Sequence, residues 1–429
     1  MHLISRLGLR IAALSLKFAL TVVIARALGL AAVGDYGLAL AVSVVASKLL
    51  GLGFSTEINR RLSLANSRDS VLEAYRLLFV FGGFYAAIAA IMTLLEVGGI
   101  LDGFWHVRPA IVWGVTLVAL SEHAGLEANS WIFSMHRPHL GAVLLFVRSG
   151  AWAAIAIAGL ITKVIDSVEL ILLLWGVTNV LVVAVVIRIL VDARRQSSGP
   201  ISAGEPARLG KMRSLWIGGA PFFVATTALS CLQYSERFIA GMVVSSVALG
   251  SYVFCWSISN AIQTIAYATV VVTSGPRMVR ALDVSYEAFR TELRRSVFAS
   301  LGLSVFGAAA LLLAWRFIFR IAHQADGANE FAILGVLLLS FVFRSIADIY
   351  WGGAIALRLG KQVAVLVSLV MLLVFAAGWM LVTRFGILGA AWAHLLSSVG
   401  IFVLLLWQVG HAVEGYRRDA TTIKERHAS

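Results

Sequence analysis

Apolar residues run through this chain in stretches of about 20, the length at which a helix rising 1.5 Å per residue crosses a hydrocarbon layer roughly 30 Å thick. The stretch from Arg10 to Arg61 shows the pattern first, as two such runs joined by a Gly-rich corner and closed by the basic pair Arg60 and Arg61. Read in the same way, the sequence predicts spans over 9–30, 36–54, 77–95, 111–133, 140–161 and 170–190. A second set follows over 215–243, 252–272, 297–318, 331–357, 363–382 and 387–409. The fold class is all-α and polytopic, with about twelve membrane helices. The fourth span is the most polar, holding Ser121, Glu122, His123, Glu127 and Asn129.

The loops between these runs carry an independent signal. Arg6 and Arg10 precede the first span, Arg68 and Arg76 follow the second, and Arg137 follows the fourth. Arg194, Arg195, Arg208, Lys211 and Arg213 follow the sixth, and Arg277, Arg280, Arg290, Arg294 and Arg295 follow the eighth. Arg358 and Lys361 come after the tenth, and Arg417, Arg418, Lys424 and Arg426 after the last, whereas the alternate loops are nearly bare of Lys and Arg. Positive residues collect on the cytoplasmic side, so both termini are expected there and the number of spans is expected to be even. A Gly/Pro/Ser-rich stretch, QSSGPISAGEP, divides the chain. The expected organisation is an N-terminal six-helix lobe over 1–195, a cytoplasmic linker over 196–213, a C-terminal six-helix lobe over 214–410 and a basic cytoplasmic tail over 411–429. The halves echo each other, VGDYGLAL at 33–40 against LGSYVFCW at 249–256 and HRPHLGAVLLFV against LRLGKQVAVLVS. Such an echo, with six helices per repeat, implies pseudo-symmetric lobes related by an axis along the membrane normal.

Composition agrees with this reading and removes others. Of 429 residues, 60% are apolar and 13% charged, against about 25% charged in soluble domains. The net charge of +13 would suggest nucleic acid in a soluble chain, but here the charges sit between spans, and no nucleic acid is expected. Cys231 and Cys255 fall inside apolar runs, so no disulfide framework or metal site is expected. The first run is read as an uncleaved helix rather than a signal peptide. Neither HExxH nor a P-loop is present, and the outer loops are too short to house a glycan polymerase, ligase or glycosyltransferase site, so no catalytic residue is assigned.

RALGLAAVGDYGLALAVSVVASKLLGLGF, the APFF opening of span seven, YSERFIAGMVVSSVALGSY and GILGAAWAHLLSS resemble bacterial polysaccharide flippases of the multidrug/oligosaccharidyl-lipid/polysaccharide exporter superfamily. The resemblance implies a transporter of the bacterial cytoplasmic (inner) membrane, not an enzyme. Its cargo would be a polyprenyl-diphosphate-linked glycan moved from the cytoplasmic to the outer leaflet by alternating access, with membrane lipids and polysaccharide-assembly proteins as partners. No cofactor is implied, and coupling to a proton or sodium gradient stays open. Where that family often shows an Asp–basic pair late in span seven, this chain has Glu236 and Arg237.

Charged residues at membrane depth are costly and usually face protein or a wet cavity. Lys17, Lys48, Arg148 and Arg344 fall in the inner or middle parts of spans one, two, five and ten. They are the first candidates for binding an anionic head group in a cationic central cavity, where Arg offers a pyrophosphate bidentate hydrogen bonds. Ion pairing to Glu122, Glu127 or Asp348, and snorkelling, are the competing readings. Arg26 and Arg237, near the outer ends of equivalent helices, are the second-rank candidates. Lys17 and Arg26 are nine residues apart, about 180° round the helix, so they cannot share one cavity on a straight helix. Glu122, Glu127, Asp348 and Glu236 are the candidates for ion coupling, and a salt bridge from Glu122 to Lys17 or Arg148 is the competing role. Trp175 and Trp256, deep in their spans, read as packing residues before sugar-stacking ones. A multidrug or small-metabolite exporter of the same superfamily is the alternative function, and the excess of bases over acids favours an anionic cargo.

Overall fold

The computed structural model describes residues 2–54, 58–59, 62, 68–100, 109–196, 209–324 and 327–428. Among them every regular element is helical. In chain order these are α1 His2–Ala27, α2 Leu30–Leu49, α3 Arg68–Val97, α4 Pro109–Ser134, α5 Pro138–Phe146, α6 Trp152–Ile161 and α7 Val168–Gln196. There follow α8 Leu209–Val243, α9 Ser246–Ala266, α10 Val272–Val284, α11 Tyr286–Ile321, α12 Ala328–Ala356 and α13 Gly360–Ala428. A π-helical turn, Val147–Ala151, joins α5 to α6, and another, Tyr267–Val271, joins α9 to α10. Pro138 opens α5, where its missing N–H is no loss.

Ten of these segments are long and apolar enough to cross a membrane. Helix α8 overlies the predicted seventh span, and α13 overlies both the eleventh and the twelfth. Gly386 breaks α13 with φ 57° and ψ −134°, a backbone conformation that a residue without Cβ adopts at little cost. Large side chains such as Val97 (83% exposed) and Leu313 (89%) stand outward from the helices, as lipid-facing positions do.

Three boundaries differ from the sequence pattern. The corner after α1 is Gly29, at φ 85°, so VGDYG lies inside α2 rather than in the turn; LGSYV likewise lies inside α9, which opens on the Ser245 cap. Helix α2 stops at Leu49, where Leu52 and Gly53 take positive φ, so Lys48 sits in its last turn. The expected basic loop after span eight is itself helical. Basic and apolar residues alternate there at helical spacing, and Ser285 alone separates α10 from α11, its hydroxyl accepting the Ala288 N–H at 3.1 Å. Arg277 reaches Glu292 across that corner at 3.8 Å. Most of the predicted linker, 197–208, lies outside the described residues.

The chain forms two compact units, Met1–Ser230 and Cys231–Ser429. In the first, α4 packs on α7 and α2, and α1 packs on α5 and α6. Trp131 and Ile132 of α4 meet Leu77 and Phe81 of α3 and Val186 of α7 in a buried core. In the second, α12 is the central helix, packed by α13, α9 and α11. Lipid gives helices little hydrophobic reason to associate, so close approach through small residues matters. A Cβ on Gly176 of α7 would lie 2.5 Å from Leu117 Cγ, and one on Gly114 of α4 would lie 2.9 Å from Leu172 Cδ1. Gly176→Val is therefore expected to destabilise the first unit by about 1–3 kcal/mol through overpacking. Gly302→Val, with no atom within 4 Å of its Cβ position, should not. Thermal unfolding of the two purified variants checks this, and equal losses would show that the α4–α7 contact is not tight.

Candidate functional site

Among the described residues, each unit buries a polar cluster between the helices that correspond to its fourth and sixth spans. In the first unit the centre is Glu122, on an unbroken α4. Its Oε1 accepts from Arg148 Nη1, and its Oε2 accepts from Asn179 Nδ2 at 2.9 Å and Trp175 Nε1 at 3.1 Å. Three donors thus meet one carboxylate inside the helix layer, which is how a buried charge is retained. The π turn carries Arg148, and π turns of this kind recur at functional positions. Room for it comes from Gly125, whose Cβ would lie 2.8 Å from Arg148 Cδ. Lys17 of α1 completes the group: its Nζ lies 5.5 Å from the Trp175 ring centroid, within electrostatic range of both Glu122 and Arg148. Trp175 stacks on Trp152 with centroids 4.9 Å apart and planes 5° from parallel, and Tyr36 tilts against it at 6.2 Å. Its ring faces are occupied by protein, as a packing role requires.

Beside this group α4 presents a second polar face. His123 Nδ1 and the Tyr85 hydroxyl of α3 are 2.5 Å apart, and His123 Nε2 lies 3.9 Å from Glu127 Oε1 one turn on. The Asn59 side-chain Oδ1 accepts from the Ser134 hydroxyl at 2.9 Å.

In the second unit the cluster runs from α8 through α9 to α12 and α13. Arg237, fully buried, lays its guanidinium 3.8 Å from the Trp256 ring centroid and 5.0 Å from that of Tyr234, a desolvated cation–π contact. Glu236 Oε1 accepts from the Tyr252 hydroxyl at 3.0 Å. The Trp256 N–H donates to His394 Nε2 at 3.2 Å, and His394 Nδ1 meets Ser340 Oγ at 2.6 Å, itself 2.9 Å from Ser398 Oγ. Arg344 lies one turn after Ser340. Its Nη2 donates to Gln233 Oε1 at 3.3 Å, while Nε stands 3.9 Å from Asp348 Oδ1. Asp348 accepts from Gln263 at 2.8 Å through its other oxygen. Among the described residues, the buried Nε and Nη1 of Arg344 have no hydrogen-bond partner.

The sequence-predicted residues thus divide. Lys17, Arg148 and Glu122 come together in one unit, and Glu236, Arg237, Arg344 and Asp348 line one network in the other. Lys48, accessible at its side chain, lies within electrostatic range of Glu127 and Arg148, whereas Arg26 is exposed in the last turn of α1 and on a different side from Lys17, as their spacing requires. Arg237, expected to be equivalent to Arg26, is instead enclosed by aromatic rings. Glu127 pairs with His123 rather than with the Glu122 group. The pattern of charges did not single out Asn179, His394, Ser340, Gln233 or Gln263. Their signal was present as helical spacing, since His394 and Ser398, and Ser340 and Arg344, are i,i+4 pairs. Cys231 and Cys255 are both free thiols.

No protein-family profile and no curated protein sequence matches the chain. Solved structures do: the chain has the fold of polytopic transporters of the multidrug/oligosaccharidyl-lipid/polysaccharide exporter (MOP) type. One is the lipid II flippase MurJ in an inward closed conformation, with a TM-score of 0.71 at 12% identity over 95% of this chain and 87% of that one. Another is an outward-facing multidrug resistance MATE family transporter of the MOP superfamily, with a TM-score of 0.64 at 12% identity over 97% and 96%. A third, a MOP superfamily transporter from Pyrococcus furiosus, has a TM-score of 0.58 at 12% identity over 96% of each chain; it is described by a reverse polarity of its binding pocket that suggests a different function. These neighbours are transporters, not enzymes.

The Glu122 cluster makes a quantitative demand. Removing one partner of a buried pair leaves the other charge uncompensated, at a cost of about 3–5 kcal/mol. Arg148→Met should lower the unfolding temperature strongly, and Glu122→Gln combined with Arg148→Met should recover most of the loss. A double variant whose losses simply add would show that the pair is not coupled.

Proposed function

We propose that this protein is a flippase that carries a lipid-diphosphate-linked oligosaccharide from the cytoplasmic to the outer leaflet of a bacterial cytoplasmic membrane. It would do so with twelve spans, both termini cytoplasmic and two six-helix lobes that alternate access. The observation that carries this reading is the charge balance of the Glu122 group. Arg148 bonds the one carboxylate and Lys17 stands within its electrostatic range, so the group holds one more formal positive charge than negative. A fixed cation there is expensive unless something anionic visits it. In the other unit acids and bases are balanced, but Arg344 holds two buried nitrogens without hydrogen bonds, donors suited to a phosphate oxygen.

The lipid tail would remain in hydrocarbon while the cationic groups lower the cost of moving the diphosphate. A membrane potential negative inside favours outward movement of negative charge by roughly 2.3 kcal/mol per charge per 100 mV. Glu122, Glu127, Glu236 and Asp348 are the acids available for coupling to protons or sodium. One of the named neighbours is a lipid II flippase and another a multidrug transporter, so the cargo is read from the charge of the site rather than from the fold. An exporter of cationic drugs would be served by the opposite balance.

Reconstitution with a fluorescent polyprenyl-diphosphate oligosaccharide tests this reading. Lys17→Gln and Arg344→Gln are expected to reduce leaflet exchange at least tenfold while the proteins stay folded. Arg26→Gln, at an exposed position in the last turn of α1, should change it less than twofold. Normal exchange in the first pair would remove the cationic groups from the mechanism.

A further inference from the structure

The second unit holds an ion pair that does not close. Arg344 and Asp348 stand one turn apart on α12, the spacing that puts two side chains on one helix face. Arg344 is 7% exposed, and the Asp348 side chain, at 18%, is little more so. Opposite charges so placed attract more strongly than in water, and a charge-assisted hydrogen bond between them has a length of about 2.7–2.9 Å. Arg344 Nε and Asp348 Oδ1 are nevertheless 3.9 Å apart, and among the described residues the buried Nε and Nη1 make no hydrogen bond. Leaving buried donors unmade is costly, so the pair is being held open.

The restraint acts on both charges. On α9, which packs against α12, Gln263 donates through Nε2 to Asp348 Oδ2 at 2.8 Å. On α8, Gln233 Oε1 accepts from Arg344 Nη2 at 3.3 Å. Two neutral amides on two other helices therefore draw the charges apart. The Glu122 group of the first unit shows why the pull succeeds here. There one carboxylate oxygen serves Arg148 and the other serves Asn179, because glutamate is a methylene longer than aspartate and both donors come from other helices. Asp348 is shorter and shares a helix with its arginine, so it holds Gln263 in place of Arg344.

We propose that Gln263 is a positioning residue for anion binding: by keeping Asp348 off Arg344, it leaves the Nε–H and Nη1–H available to the oxygens of a diphosphate. Asp348 then balances the charge of Arg344 without occupying its donors. This inference rests on the anionic cargo read for Arg344 above, and it adds the residue that sets how tightly the cargo is held. Two variants close the pair: Gln263→Leu, which removes the competing donor, and Asp348→Glu, whose longer side chain reaches both partners as Glu122 does. Asp348→Asn removes the charge that closes it.

Equilibrium binding of a fluorescent polyprenyl-diphosphate oligosaccharide to the full-length protein in lipid nanodiscs tests this, with Arg344→Gln marking the affinity that remains without the site. Gln263→Leu should weaken binding at least fivefold, and Asp348→Glu at least threefold. Gln263→Leu combined with Asp348→Asn should return to within twofold of the wild type, a rescue that lost packing at Gln263 could not produce. Wild-type affinity in Gln263→Leu, or in Asp348→Glu should the leucine variant not fold, overturns the role of Gln263. A double variant no tighter than Gln263→Leu alone does the same. If the wild type does not bind the probe, or Arg344→Gln binds it as tightly as the wild type, the cargo reading of Arg344 is what fails, and this inference falls with it.

Discussion

A charge inside a hydrocarbon layer must find its counter-charge and hydrogen bonds within the protein, and the first unit is built around that requirement at Glu122. One carboxylate draws together α4, the π turn carrying Arg148, Trp175 and Asn179 of α7, and Lys17 of α1. The rest follows from making room for it. Gly125 clears the path of the Arg148 side chain, Gly114 and Gly176 bring α4 and α7 into close approach, and Trp152 stacks behind Trp175. The second unit solves the same problem with more neutral groups, a His394–Ser340–Ser398 cluster on the corresponding pair of helices. There Arg237 is stabilised by aromatic faces and Arg344 by Gln233 and the more distant Asp348.

This comparison gives the echo between the halves a physical content. Tyr36 and Tyr252 occupy matching places in α2 and α9 and are both buried, one against Trp175 and the other bonded to Glu236. The chemistry they serve has diverged. The first unit keeps three formal charges close together, while the second disperses its charges along α8 and α12. A transporter that binds at one end of its cycle and releases at the other has use for two clusters of unequal strength.

Much of the fold was legible because apolar runs of membrane length are a strong, repeated signal. Helix boundaries were less so. The run from Arg277 to Arg295 looks like a loop by charge, yet its apolar residues recur at helical spacing and the segment is helical on both sides of Ser285. Glycine positions misled in the other direction, since VGDYG reads as a corner but only Gly29 takes the positive φ that turns the chain. For the site, sequence depth identified Lys17, Arg148, Glu122 and Arg344. It could not show which partners they choose, because Asn179, Gln233 and His394 lie 57, 111 and 138 residues away from Glu122, Arg344 and Trp256, the groups they bond, and carry no charge to flag them. Nor does it reveal that Lys48 lies in the last turn of α2, because the Gly51–Gly53 turn continues the apolar run.

The central claim is that the charge of these clusters selects an anionic lipid-linked cargo, and one comparison addresses it directly. Proteoliposomes holding the wild-type protein are given a polyprenyl-diphosphate oligosaccharide and, in parallel, a lipophilic drug cation, under an inside-negative potential and with proton or sodium gradients in turn. The account predicts protein-dependent movement of the diphosphate lipid and none of the cation. Movement of the cation with no exchange of the lipid would contradict it.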